Sequence, residues 1–399
     1  MSEKILLTHR PSEVAETLHE TLRAAGFFLL QSQDFVMAAR QLAERPALWL
    51  IEAELLLETP GARLVDFPRL CREQETSPLA CALSDELSLA QMQRHAPWLQ
   101  EILPRPTLGG ELLIRLESLL RVRRLRYERN LAQKLLLAKQ LEIDANRCSA
   151  ATIQKTLLPS AFPHVNQFAF DASFQPCDKV GGDLYAVTQL DENQVMAYLF
   201  DVSGHGIPAA MVTVAVNQSL SPHTGMIVKQ PISAPPYYRL PSPAEVLSAL
   251  DEEYPLERFE KFFTIAYLLI DQHKGTVRYS CAGHPPPLLV RRNGSVERLS
   301  AGGTLIGLGG VVPYGEAQVQ LTPGERIFLY SDGVTEYRNA HGELFGEERL
   351  CHRLKELRRW PLAGACNKVL EALYDFSRGG GPHDDVTLLA IEYTGRTTP

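Results

Sequence analysis

"LFDVSGHGIPAAM", residues 199–211, sets an aspartate at the end of an apolar run, directly before a glycine-rich turn and a helical segment. Ala197, Tyr198, Leu199 and Phe200 read as a buried strand, and an uncompensated carboxylate at its end is costly. Three more aspartates stand in comparable places: Asp183 in "DKVGGDLYAV", Asp332 in "FLYSDGVTE" and Asp384 in "GPHDDVTLLAI". Any one of these stretches alone reads as a turn, because Asp and Gly are what turns use. Four of them beside strand-like runs read as a cluster of carboxylates, which repel one another and rise in pKa unless cations compensate them. An all-oxygen set without nearby Cys or His ligands selects Mg²⁺ or Mn²⁺ over zinc. Two such ions about 3.5–4 Å apart form the template for phosphate-ester hydrolysis.

The rest of the chain is long enough to carry this site on a proper core. With 399 residues, 45% of them hydrophobic and 22% charged, it has material for two or three globular domains. A net charge of −7 gives no case for nucleic-acid binding, and the basic run Arg121–Arg129 reads as a solvated helix face. Seven scattered cysteines without a CxxC pair suggest neither a zinc knuckle nor a disulfide framework. "MSEKILLTHR" lacks the apolar stretch of a signal peptide, and "FFTIAYLLI" is too short for a bilayer, so the expectation is a soluble cytoplasmic protein without membrane contact.

From residue 1 to about 106, short apolar runs at Ile5–Leu7, Phe27–Leu30, Ala47–Ile51 and Leu79–Leu83 alternate with amphipathic segments such as "PSEVAETLHETLRAAG". That alternation predicts βα units on a parallel sheet. From Gly109 to about Leu158 apolar residues recur at three-and-four spacing, which predicts one long helix suited to a coiled coil, although Arg123 and Arg126 interrupt its heptads. Beyond "LLPS" at 157–160, strand-length runs and glycines dominate, with helices near 206–220 and 243–254 and a proline-rich, aperiodic excursion between them. There is no internal repeat.

The first half resembles the receiver domain of bacterial response regulators, which implies a flavodoxin-like doubly wound sheet. The resemblance rests on the run of strands, on "LACALS" with Ser84 at the small-hydroxyl position, and on "ILPRPTLGGELLIRLESLL" as last strand and final helix. Active receivers carry an acidic pair after the first strand, where this chain has Thr8 and His9. Glu52 in "WLIEAEL" replaces the acceptor aspartate, and Arg105 the lysine before proline. Without those carboxylates acyl-phosphate formation lacks its parts, so the domain reads as a pseudo-receiver.

The second half resembles the PPM-type metal-dependent serine/threonine phosphatases, in their SpoIIE/RsbU-like branch. "AATIQKTLLPS", "FQPCDKVGGDLY", "FDVSGHGIPAAM", "CAGHPPPLLV", "GGTLIGL", "LYSDGVTE" and "GPHDDVTLL" carry the likeness jointly. It implies an α/β sandwich of two β-sheets flanked by helices, and two Mg²⁺ or Mn²⁺ ions bridged by Asp201. Asp183 and the Val202 carbonyl would complete one ion, Asp332 and Asp384 the other, with Asp385 a supporting acceptor. Where the branch commonly has a second aspartate three residues after Asp183, this chain has Ala186. The expected layout is a receiver-like domain over 1–108, a helical linker over 109–158, a phosphatase domain over 159–394 and a tail over 395–399.

Other residues carry less. His205, between two glycines, reads either as a proton donor to the leaving oxygen or as a turn residue binding backbone. His284 in "AGHPPP" is expected to shape the edge of a substrate cleft. "GGDLY" lacks the spacing of a dinucleotide loop. Two functions follow: a phosphoserine/phosphothreonine protein phosphatase under control of the N-terminal domain, or a non-catalytic adaptor that keeps the fold as a binding platform. The resemblance implies, for the first, a phosphorylated STAS-type anti-sigma-factor antagonist as substrate, and the linker suggests a homodimer.

Overall fold

The computed structural model describes residues 3–59, 78–84, 88–94, 96–103, 109–177, 180–204, 206–310 and 312–395. The chain divides into two compact units, Met1–Gln140 and Leu141–Pro399.

The first unit is a parallel five-stranded sheet of β1 (Lys4–Thr8), β2 (Phe28–Ser32), β3 (Leu48–Glu52), β4 (Leu79–Leu83) and β5 (Glu101–Leu103), in the order β2-β1-β3-β4-β5. This is the flavodoxin-like order that the receiver resemblance implies. Its central strands read as continuous apolar runs because both faces are covered. Ile5, Leu7, Leu48 and Leu50 pack with Leu18 and Leu22 of α1 (Glu13–Ala24), and Leu6, Trp49 and Ile51 pack on the other face with Phe35 and Ala38 of α2 (Phe35–Gln41). Short polar caps set where those helices start: Ser12 Oγ accepts the Ala15 N–H at 3.2 Å, and Asp34 Oδ1 the Met37 N–H at 2.7 Å. Helices α3 (Ala53–Glu58) and α4 (Leu89–Gln93) lie on the Trp49 face, where Leu56 and Met92 are buried. Helix α5 (Gly109–Leu157) is unbroken, as the spacing predicts, and its Leu112, Leu116 and Leu120 join the Ile5 face.

At the ends of β1 and β3, the residues that replace receiver chemistry are engaged internally. Thr8 Oγ1 lies 2.6 Å from Ser32 Oγ and accepts the Trp49 indole N–H at 2.8 Å, with all three side chains buried. Glu52 accepts the Arg10 backbone N–H at 2.9 Å, beside a narrow pocket lined by His9, Ser12 and Leu83. Arg105 lies outside the described residues.

The second unit is a sandwich of two antiparallel sheets between helices. One sheet holds β7 (Asp183–Gln189), β8 (Gln194–Val202), β11 (Phe263–Asp271), β12 (Thr276–Ala282) and β15 (Gly302–Gly303) in the order β15-β12-β11-β8-β7, with β16 (Ala317–Gln320) also on β12. The other orders β14 (Val296–Arg298), β13 (Leu288–Val290), β17 (Arg326–Tyr330), β18 (Val386–Tyr393) and β6 (Phe168–Gln175) as β14-β13-β17-β18-β6. Alternation along the strands builds three apolar layers. Val195, Ala197 and Leu199 meet Leu329, Leu389 and Ile391 between the sheets. Met196, Tyr198 and Phe200 face Val212 and Val216 of α6 (Ile207–Ser219) and Val246 and Leu250 of α7 (Pro243–Glu253). After the short α8 (Leu256–Phe259) and α9 (Asp332–Thr335), α10 (Gly346–Leu357) and α11 (Ala365–Ser377) cover Phe328 and Leu388. The proline-rich excursion is more ordered than its composition suggests. Ile227 and Val228 are buried in the α6 layer, and β9 (Gln230–Pro231) pairs with β10 (Tyr238–Arg239).

A receiver pocket filled in this way should not accept a phosphoryl group. No acidic side chain follows β1, and a glutamate carries its oxygen one methylene farther out than aspartate, where about 1 Å of misplacement can cost about a hundredfold in rate. Incubating the chain with acetyl phosphate and Mg²⁺ is expected to leave its intact mass unchanged. A stoichiometric gain of one phosphoryl group, lost in Glu52→Gln, would refute this.

Candidate functional site

The two sheets bring their sequence-predicted aspartates to one end of the sandwich. Asp183 opens β7 and Asp201 lies near the end of β8, and the register sets them directly opposite each other. Residues so paired have Cβ atoms about 5 Å apart on one face, where like charges repel. On the second sheet β17 ends at Tyr330 and Ser331 caps the next helix, so Asp332 falls in the first turn of α9, while Asp384 and Asp385 immediately precede β18, which is paired to β17. Asp183 is buried, Asp201 and Asp332 are half-buried and Asp384 is exposed, so the cluster opens to solvent on the Asp384 side.

The electrostatics follow from that packing. Burial raises Asp183 well above the usual carboxylate range, the charges of Asp201 and Asp385 add to it, and the Thr387 and Ser331 hydroxyls oppose it. Asp201 is pushed up to about 8, first by burial and then by Asp332, Asp384 and Asp385, against a hydrogen bond from Asp183. Asp332 is raised by burial and by Asp384 and Glu336. At about 1.4 kcal/mol per pH unit, a rise from 3.8 to about 8 makes Asp201 several kcal/mol harder to ionise in the fold than in the unfolded chain. Among the described residues none of these carboxylates is ion-paired to a lysine or arginine. A set of crowded oxygen donors lacking a resident positive charge fits a hard divalent cation.

Asp385 has a different task. Its Oδ1 accepts the Cys177 N–H at 2.9 Å, and its Oδ2 accepts the N–H of Gly182 at 2.6 Å and of Asp183 at 3.4 Å. The carboxylate thus holds the loop that delivers Asp183. Two glycines make room for it: a Cβ on Gly181 would sit 2.0 Å from Asp385 Oδ2, and one on Gly182 would sit 2.5 Å from the Val202 carbonyl oxygen. The Val202 carbonyl is therefore packed against this loop. Thr387 donates to Asp183 Oδ2, and Ser331 Oγ donates to the Asp385 carbonyl at 3.0 Å while accepting the Thr387 N–H at 3.0 Å. The expected absence of a nearby cysteine does not hold: the loop before β7 brings Cys177 Sγ within 4.8 Å of carboxylate oxygens of Asp384 and Asp385.

Sequence reasoning passed over Ser331, Thr387 and Gln154, which pairs with Gly181. The available signal was position: Ser331 and Thr387 flank the aspartates in "YSDG" and "DDVT". His284 is not at a cleft edge. It is buried, its Nδ1 lies 2.8 Å from Thr264 Oγ1, and burial drives its pKa down to about 3, so the ring is neutral. Its partner Thr264 stands opposite Asp201 on β11, which makes His284 an internal brace. Ala186 is buried in the apolar layer under α6 and α7, on the face of β7 opposite to Asp183. His205 lies outside the described residues.

Comparison with known proteins agrees with this fold. Residues 191–394, just over half of the chain, match the family model of stage II sporulation protein E (SpoIIE). The chain is 25% identical over 291 residues to Protein IcfG of Synechocystis sp., a match covering 65% of this chain and 43% of IcfG. It is 28% identical over 265 residues to the phosphoserine phosphatase RsbP of Bacillus subtilis, covering 65% of this chain and 59% of RsbP. It thus spans only about half the length of these relatives. The SiaA-PP2C domain of Pseudomonas aeruginosa superposes with a TM-score of 0.53 at 23% identity, over 64% of this chain and 99% of that domain, and shares its fold. With four aspartates gathered at one end of a two-sheet sandwich and a family match over the segment that carries three of them, this chain belongs to the SpoIIE family.

Proposed function

We propose that this chain is a divalent-cation-dependent phosphoserine/phosphothreonine protein phosphatase controlled by its receiver-like N-terminal unit. The observation that carries this is the convergence of Asp183, Asp201, Asp332 and Asp384, with Asp201 pushed up to about 8 by burial and by its neighbours. RsbP, a relative of the same family, is named a phosphoserine phosphatase. Asp201 would serve two Mg²⁺ or Mn²⁺ ions, with Asp183 and the Val202 carbonyl on one and Asp332 and Asp384 on the other. When bound, such ions supply Lewis acidity and make water a competent nucleophile at neutral pH.

The chain's own groups hold the geometry. Asp385 fixes the Gly182 and Asp183 N–H groups, and Thr387 orients the Asp183 carboxylate. The exposed Asp384 marks the side from which a phosphorylated side chain approaches. Ala186 leaves this ligand set intact. By family resemblance the substrate is a phosphorylated STAS-type anti-sigma-factor antagonist. Control passes through α5, whose Leu125, Leu131, Leu135, Leu136 and Leu141 are exposed and suit a parallel homodimer.

Asp201→Asn is expected to cut Mn²⁺-dependent hydrolysis of phosphoserine proteins by at least about a hundredfold with an unchanged circular dichroism spectrum. A folded variant with near-parental turnover would overturn the assignment, and a parent inactive on a phosphoserine panel in Mn²⁺ would favour the adaptor reading. A second expectation concerns pH. A carboxyl whose pKa is higher in the fold than in the unfolded chain binds more protons folded, so stability falls as pH rises between the two values, here from about 4 to about 8. The calorimetric melting temperature in EDTA should therefore drop between about pH 5 and about pH 8, and Mn²⁺ should reverse the drop. For the linker, sedimentation should show a dimer; a monomer whose activity survives a Gly/Ser replacement of residues 121–145 would sink that part.

A further inference from the structure

The segment Val180–Asp183 offers its backbone polar groups to several different elements. The Val180 carbonyl accepts the Gly206 N–H at 3.4 Å. The Gly182 carbonyl accepts the Val202 N–H at 3.3 Å and the Thr213 hydroxyl at 2.9 Å, and the Gly182 N–H goes to Asp385. Among the described residues, Gly181 is served by one side chain. Gln154, in the last turn of α5, donates its Nε2–H to the Gly181 carbonyl at 2.7 Å and accepts the Gly181 N–H on Oε1 at 3.1 Å. The amide thus mimics a neighbouring strand, and it does so while 4% exposed.

Gly181 cannot find other partners by shifting toward the sheet, because the Asp385 carboxylate fills the space where its Cβ would be. Without the amide, two buried backbone groups lose their partners, and the loop must turn to satisfy them. The peptide that turns is two residues from the Asp183 carboxylate and adjacent to the Gly182 N–H that binds Asp385.

We propose that Gln154 is a positioning residue for the acidic site: its amide fixes Gly181, and through it the Asp183 carboxylate, so that cation affinity depends on this amide pair. The neighbouring Leu157 and Leu158 pack against the apolar layers, whereas among the described residues Gln154 is the side chain of this turn that is hydrogen-bonded to Gly181. This rests on the divalent-cation reading above.

Gln154→Met keeps the side-chain length and helix propensity but removes both hydrogen bonds. Titration calorimetry of Mn²⁺ into the full chain is expected to show affinity about 10- to 100-fold weaker, the range for losing a group that orients a metal ligand. Turnover should return toward the parental value at saturating Mn²⁺. Leu157→Ala, which loosens the same turn without touching the amide pair, should lower the melting temperature and leave Mn²⁺ affinity near parental. Should the Met variant fail to fold, Gln154→Asn, with its amide one methylene short, is expected to weaken Mn²⁺ in the same direction. Parental affinity in a folded Gln154 variant overturns the proposal, as does equal weakening by Leu157→Ala. Absence of Mn²⁺ binding in the parent, or parental binding in Asp201→Asn, overturns the cation reading instead.

Discussion

The second unit is organised around an unfavourable pairing: Asp183 and Asp201 face each other across two antiparallel strands at the end of a dry core. Cross-strand pairs of like charge weaken a sheet, and burial makes each carboxylate dearer to ionise. The fold tolerates the pair because its surroundings are over-determined. β8 is hydrogen-bonded on both sides, by β7 and β11, and its side chains are packed on both faces. A third carboxylate, Asp385, accepts backbone N–H groups and fixes the loop that leads into β7. Repulsion of this kind is relieved by protonation or by a compensating cation.

Rigidity at the strand ends is what such a site requires, since ligands misplaced by a fraction of an ångström lose most of their value. The glycines serve that end through close approach more than through flexibility. Gly333 is an example: a Cβ there would sit 2.1 Å from the Asp385 carbonyl oxygen, so the turn carrying Asp332 can press directly against the strand carrying Asp384. His284 braces from the other side, hydrogen-bonded to the strand next to Asp201. Its neutrality follows from burial, and a neutral ring can sit close to a carboxylate cluster without altering its charge.

The parts legible in the sequence are those with a short period or a short motif. Apolar runs gave the parallel strands, three-and-four spacing gave α5, and strand-end aspartates beside glycines gave the cluster. What escaped depends on contacts between distant residues. Gln154 lies on a helix whose pattern reads only as amphipathic, and nothing local reveals that Gly181 is its partner. Thr387 reads as an ordinary β-branched strand residue until the second sheet is laid on the first. "AGHPPP" looks like surface loop chemistry, yet the positive φ of 60° at Gly283 folds His284 inward. The excursion between α6 and α7 was read from its prolines, whereas Ile227 and Val228 decide its path.

The two units answer one physical problem in opposite ways. Both place polar side chains at the ends of buried strands, where desolvation must be compensated. In the first unit the compensation is neutral and internal: Thr8, Ser32 and Trp49 satisfy one another, and Glu52 is turned to the Arg10 backbone. In the second unit the carboxylates remain, and the loop that presents Asp183 depends on an amide from α5. The first unit thus balances its strand-end polar groups among themselves, whereas the second gathers carboxylates that burial and mutual repulsion make hard to ionise.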